Sequence, residues 1–166
     1  MAFDGDAYLR TDLDPVTVGH RGDLFTAISL ETPGGVTSIG DGLLRAATEE
    51  DSDGLAANLC SFVLLSDGHE NETQFWADVK ANVIDNGCPI HSIALGPGTN
   101  EPLMQQIAAS VPGGSYDYAT TTGGVPTSGG ITAGVADGTG TQAIAAIPSD
   151  SIALGFLGWE NNLSRI

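Results

Sequence analysis

Between Cys60 and Ala119, short apolar runs alternate with segments whose apolar residues recur at helical spacing, and this alternation restricts the chain to folds built on a parallel sheet. Ser61-Phe62-Val63-Leu64-Leu65-Ser66 is a continuous run of strand length that stops at Asp67-Gly68, the pattern of a strand buried on both faces. Within Glu72 to Asn86, the residues Phe75, Trp76, Val79, Val83 and Ile84 fall on one helical face, and Asn86-Gly87 supplies a left-handed stop. Ile90 to Leu95 reads as a second strand. Asn100 can cap a helix carrying Leu103, Met104, Ile107 and Val111, and Ser115 to Ala119 reads as a third strand. Parallel strands joined through helices need right-handed crossovers, so the expected class is α/β: a Rossmann-like, doubly wound, mostly parallel sheet flanked by helices.

The flanking regions are less regular. Ala7-Tyr8-Leu9-Arg10 has the look of an edge strand, and Leu24, Ala27, Ile28 and Leu30 suggest a short helix beginning near Gly22. Turn chemistry makes Thr32 to Ser38 a loop. Ile39, Leu43, Ala46 and Ala47 mark a further helix that runs into an acidic turn, Glu49-Glu50-Asp51-Ser52-Asp53-Gly54. From Thr120 to Thr141 Gly, Thr, Ser and Ala dominate without a sustained period. The expected organisation is therefore a domain over 1–119, a loop or linker over 120–158, and a short segment over 159–166.

Two segments carry the functional signal, Pro33-Gly34-Gly35-Val36-Thr37-Ser38-Ile39-Gly40-Asp41-Gly42-Leu43 and Val63-Leu64-Leu65-Ser66-Asp67-Gly68-His69-Glu70-Asn71. Each puts an oxygen-bearing side chain where a loop meets a strand or helix end. They resemble the second and third parts of the metal-ion-dependent adhesion site of von Willebrand factor A domains, most closely in the form found in calcium-activated chloride channel regulators and related bacterial and archaeal surface proteins. Ala2-Phe3-Asp4 resembles the end of that family's second strand, and Ile90-His91-Ser92-Ile93-Ala94-Leu95-Gly96 its fifth. The resemblance covers roughly residues 2 to 119, and it makes 159–166 similar to the start of the family's last helix.

The resemblance implies a magnesium or calcium ion at the carboxyl end of the central strands, where open sheets bind ligands. By matching position, Thr37 would offer a hydroxyl and Asp67 would bind directly or through water, with Ser38, Gly68 and His69 on the ligand-binding rim. Hard oxygen donors suit hard cations, and a vacant coordination position would take an acidic side chain from a protein partner. From the residues alone, Thr37 reads equally as a helix N-cap and Asp67 as a loop-capping carboxylate. The family's first element, an Asp-x-Ser-x-Ser loop after its first strand, has no counterpart in this sequence. The expectation is thus a fragment lacking the first strand and helix, with the gap in mid-sheet between the family's second and fourth strands, and with weak metal binding. The alternative is a structural or assembly domain whose metal site does not function.

Charge narrows the partners. Five Lys and Arg against 21 Asp and Glu give a net charge of −16, which repels phosphate backbones and anionic headgroups; neither nucleic acid nor a membrane surface is expected as partner. No apolar run approaches the ~18 residues that cross a bilayer, and Ala2-Phe3-Asp4-Gly5-Asp6 does not open a signal peptide, so extracellular or cell-surface placement would be as part of a longer precursor. Cys60 and Cys88 precede successive strands at comparable offsets, which puts them near each other as a disulfide or as two buried thiols. His20, His69 and His91 lack the spacing of a zinc motif. No Gly-x-Ser-x-Gly elbow or His-Glu-x-x-His helix is present, so a binding module rather than an enzyme is expected.

Overall fold

The computed structural model describes residues 1–15, 17–31, 35–55 and 59–119, together with the backbone of residues 151–158. In chain order the elements are β1 (Ala2–Phe3), β2 (Ala7–Tyr8), α1 (Val18–Ser29), α2 (Ile39–Asp53), β3 (Leu59–Ser66), α3 (Trp76–Asp85), β4 (Ile90–Leu95), α4 (Glu101–Ala108), β5 (Ser115–Ala119) and β6 (Ser151–Gly158). They form one six-stranded sheet in the order β2-β1-β6-β3-β4-β5. Every pairing is parallel except the short β1–β2 hairpin at one edge.

The alternation over Cys60 to Ala119 becomes β3-α3-β4-α4-β5, with Phe62 opposite Ile90 and His91 opposite Ser115. Phe62, Leu64, Ile90 and Ala94 project from one face of the sheet and share a core with Ile39, Leu43 and Ala46 of α2, Trp76, Val79 and Val83 of α3, and Met104 and Ile107 of α4. Val63, Leu65, Ile93 and Leu95 on the opposite face are buried too, as strands in the middle of a parallel sheet require. Local chemistry sets the helix starts. Asn100 Oδ1 accepts the Leu103 amide at 3.3 Å ahead of α4, and the Asp78 carboxylate accepts the Phe75 amide at 3.3 Å at the start of α3.

Three expectations are corrected. The helix placed near Gly22 begins at Val18, because the Thr17 hydroxyl caps it by accepting the His20 amide at 3.1 Å. The acidic stretch Glu49 to Asp53 is the last turn of α2 rather than a turn of its own. The third correction concerns the sheet itself. Ser151–Gly158, expected as part of a linker, is an eight-residue strand lying between β1 and β3, where the resemblance implied a gap. It pairs with β3 from Leu59↔Ser151 to Leu65↔Leu157, and Phe3 pairs with Gly158. A stretch of apolar residues from Ile152 to Leu157 explains why it forms a central strand. The expected loop over 120–150 and the expected helix start over 159–166 lie outside the described residues.

Cys60 and Cys88 are joined as a disulfide, 28 positions apart in sequence, with 5.2 Å between their Cα atoms. It ties the start of β3 to the loop before β4. A cross-link spanning that many residues removes about 3–4 kcal/mol of chain entropy from the unfolded state. Urea unfolding of a Cys60→Ala/Cys88→Ala variant is expected to show a loss of that order against the oxidised parent, with a steeper denaturant dependence because the unfolded chain is less constrained; equal stability would mean that the bond contributes nothing.

Candidate metal centre

Four loops meet at the carboxyl end of the sheet. One follows β1 at Asp4, one precedes α2 at 35–38, one follows β3 from Asp67 to Phe75, and one follows β4 from Gly96 to Asn100. The order of the strands brings them together, since β1, β6, β3 and β4 run in one direction.

Thr37 and Asp67 are the two side chains that the sequence singled out. Both are buried, with relative exposures of 2% and 9%. Their loops are fastened to each other through Asn71. Its Oδ1 accepts the Thr37 amide at 2.7 Å, and its own amide donates to the Thr37 carbonyl at 2.9 Å, with the Glu72 amide on the same carbonyl at 3.3 Å. A reciprocal pair of this kind fixes both the distance and the orientation of two loops. On its other side the Thr37 loop leans on β1, where the Asp4 carbonyl accepts the Ser38 amide at 2.7 Å. Asp4 also packs against Gly35, whose φ of 87° is a left-handed conformation that favours glycine.

Thr37 is not the N-cap of α2. That position belongs to Ser38, which makes no side-chain cap; it is fully buried and donates its hydroxyl to the Gln74 carbonyl at 3.0 Å. Of the expected rim, only His69 is exposed. Gly68 is buried and its carbonyl accepts the Asn100 amide at 3.4 Å, which draws the β4 loop in beside Asp67. Thr99 strengthens that link: it is buried, and its hydroxyl lies 2.9 Å from the Leu95 carbonyl and 3.3 Å from that of Ser66.

Asn71, Glu70 and Gln74 were missed by sequence reasoning. Asn71-Glu72-Thr73 reads as a glycosylation sequon, and the better signal was the habit of Asn in loops to bond nearby backbone. Glu70 accepts the amides of Gly40 and Trp76 through one oxygen, at 2.8 Å each. Burial raises its pKa above the usual carboxylate range, and the two amides partly offset that rise. Gly40 is needed where it stands, because a Cβ there would come within 2.4 Å of the Gln74 carbonyl oxygen and 2.6 Å of the Trp76 nitrogen.

The donors at this end are a hydroxyl and a carboxylate, a hard set that fits magnesium or calcium in kind. A cation held by these two groups alone would leave most of a six-fold shell to water or to a partner. Among the described residues, one further group of possible ligands exists, Glu50 with Cys60 and Cys88, but its sulfurs are tied up in the disulfide and offer no thiolate. His91 stands apart from both sets. Its Nδ1 lies 2.9 Å from the Ser115 hydroxyl, and burial lowers its pKa, with Asp117 acting in the opposite direction.

Among the described residues, no helix is long and apolar enough to cross a membrane. The chain matches no protein-family model. It is similar to calcium-activated chloride channel regulator 1 of Mus musculus, with 31% identity over 149 residues, 87% of this chain and 15% of that protein. To the protein of the same name from Sus scrofa it is 30% identical over 125 residues, 72% of this chain and 12% of that protein. The chain thus spans about one-seventh of the length of the curated relatives it matches.

Proposed function

We propose that this chain is a von Willebrand factor A-type binding module in which Thr37 and Asp67 hold a magnesium or calcium ion that bridges to an acidic side chain of a protein partner. The observation that carries this reading is the pairing of the two loops. A hydroxyl and a carboxylate, unrelated in sequence, stand on loops laced together at the carboxyl end of a parallel sheet, the end where such sheets take their ligands. When bound, the cation supplies an open coordination position for a carboxylate oxygen. The chain's own residues do the rest. Asn71 ties the two loops together, Ser38 anchors the start of α2, and the exposed His69 flanks the face that a partner would approach.

Similarity to the channel regulators over most of this chain supports a domain of that type. Its action is binding rather than catalysis. A disulfide between Cys60 and Cys88 suits an oxidising compartment, which supports a module that acts at the cell surface or outside the cell. With two protein donors and no Asp-x-Ser-x-Ser loop, affinity for the metal by this chain alone is weak, in the millimolar range. That same shortage of donors favours the second reading, a structural domain of this fold with a non-functional site.

Calorimetric titration separates the two. Magnesium is expected to bind the parent chain in the millimolar range, and Asp67→Asn, which keeps the shape but removes the charge, is expected to abolish the heat. No heat with the parent, or equal heat with both chains, would leave the structural reading standing.

A further inference from the structure

Glu70 sits at a junction for which a Thr37–Asp67 metal site has no direct use. One of its oxygens accepts two backbone amides, from Gly40 in the first turn of α2 and from Trp76 at the first position of α3, both at 2.8 Å. Amides in a helix's first turn lack partners within the helix and carry the positive end of its dipole, so a carboxylate bound to two of them holds both helices by their N-termini. The chain connectivity gives this contact a consequence. Thr37 lies two residues ahead of α2, and Asp67 lies on the loop that carries Glu70, three positions earlier. One side chain therefore ties the helix behind the first donor to the loop of the second.

The surroundings leave the contact little room to slacken. Gly40 is in close backbone contact with residues 74 to 76, and the Ser38 hydroxyl donates to Gln74 in the same seam. Asn71, adjacent to Glu70, makes the reciprocal bonds to Thr37. We infer that Glu70 is a positioning residue that sets the separation of Thr37 and Asp67 by clamping the first turns of α2 and α3 to one carboxylate. The inference rests on the metal-binding reading given above. It goes beyond that reading in assigning to a residue outside the coordination shell the task of holding the shell's shape.

Three variants separate the clamp from general stability. Glu70→Gln keeps the acceptor oxygen and its reach; Glu70→Ala removes both; Glu70→Asp keeps the charge and shortens the reach by a methylene. The measurement is nuclear magnetic resonance of the full disulfide-bonded chain, with backbone amides followed through a magnesium titration and through hydrogen exchange. In Glu70→Ala, the Gly40 and Trp76 amides are expected to lose protection and the magnesium midpoint to rise at least ~10-fold, with Glu70→Gln restoring it to within about three-fold of the parent. Should Glu70→Ala not fold, Glu70→Asp makes the same comparison against Glu70→Gln.

If magnesium shifts the parent's Thr37 and Asp67 signals and the variants titrate with the parent's midpoint, Glu70 is no positioning residue. If magnesium shifts nothing in the parent, the binding reading fails and the clamp is judged on the amides alone. Lost protection at Gly40 with displaced Thr37 and Asp67 signals then sustains it, and unchanged signals overturn it.

Discussion

A chain ending at residue 150 is expected to lose its cooperative unfolding transition. The deletion removes β6, which is the strand in contact with both β1 and β3; without it the β1–β2 hairpin has no parallel partner, and β3 becomes an open edge. Seven register pairs between β3 and β6 disappear together. Phe62, Val63 and Leu64 then lie on an unpaired strand, although all three are fully buried in the intact sheet. Exposed apolar edges of that kind pair with other chains, so the shortened protein should also associate. Thermal circular dichroism and light scattering check both effects. A sharp transition at the parent's midpoint would show that the strand contributes nothing to the fold.

The largest effect expected from a single side chain is at Trp76. Its indole is 2% exposed and lies in the core shared by α2, α3 and the sheet. Replacing it with alanine removes the largest fully buried side chain and leaves a cavity that the neighbouring helices fill only in part, at a cost of about 3–5 kcal/mol. Domains of this size have total stabilities of about 5–15 kcal/mol, so Trp76→Ala should shift the urea midpoint far toward zero and leave part of the population unfolded without denaturant. The amide of residue 76 remains, so the bond to Glu70 survives the change. A loss below ~1 kcal/mol would mean that the α2–α3 seam collapses around the vacancy.

The parts of this fold legible in the sequence are those in which period and punctuation agree. From Ser61 to Ala119 the apolar spacing switches between strand and helix, and Asp67-Gly68, Asn86-Gly87 and Asn100 mark the joins; the elements lie close to the expected bounds except at the start of α3, which begins at Trp76 rather than near Glu72 and leaves Phe75 exposed ahead of it. Ser151–Gly158 was not, because a short apolar run after a long Gly- and Thr-rich stretch has no flanking pattern, and its partners lie about 90 residues away or more. The end of α2 was misjudged for a different reason. Glu-Glu-Asp-Ser-Asp looks like a turn, but the Thr48 and Ser52 hydroxyls bond back to the carbonyls four residues earlier, and the Asn86 amide group bridges Glu50 and Asp51. A long-range partner quietens an acidic run in a way that local propensity does not register.

The candidate site divides in the same manner. Thr37 and Asp67 were visible as types of residue at the ends of elements, and the structure places both at the carboxyl end of the sheet. What holds them there was not visible. Asn71 and Glu70 accept backbone amides, and the Gln74 carbonyl accepts a hydroxyl, from a segment 30 or more residues distant, and a contact of that kind leaves no pattern in one sequence. Ser38 shows the reverse error: it was expected on an open rim and instead is sealed in the seam between α2 and the Asp67 loop.

The most direct test of the binding role is thermal unfolding of the disulfide-bonded chain with and without magnesium at ~10 mM, beside the same pair for Asp67→Asn. A ligand that binds the folded state alone must raise the midpoint, and a dissociation constant near ~1 mM gives about 1.4 kcal/mol at that concentration, a shift of a few degrees. If Thr37 and Asp67 hold the ion, that shift occurs in the parent and not in the variant. A transition that ignores magnesium, or one that moves equally in both proteins, would contradict a metal site at these residues.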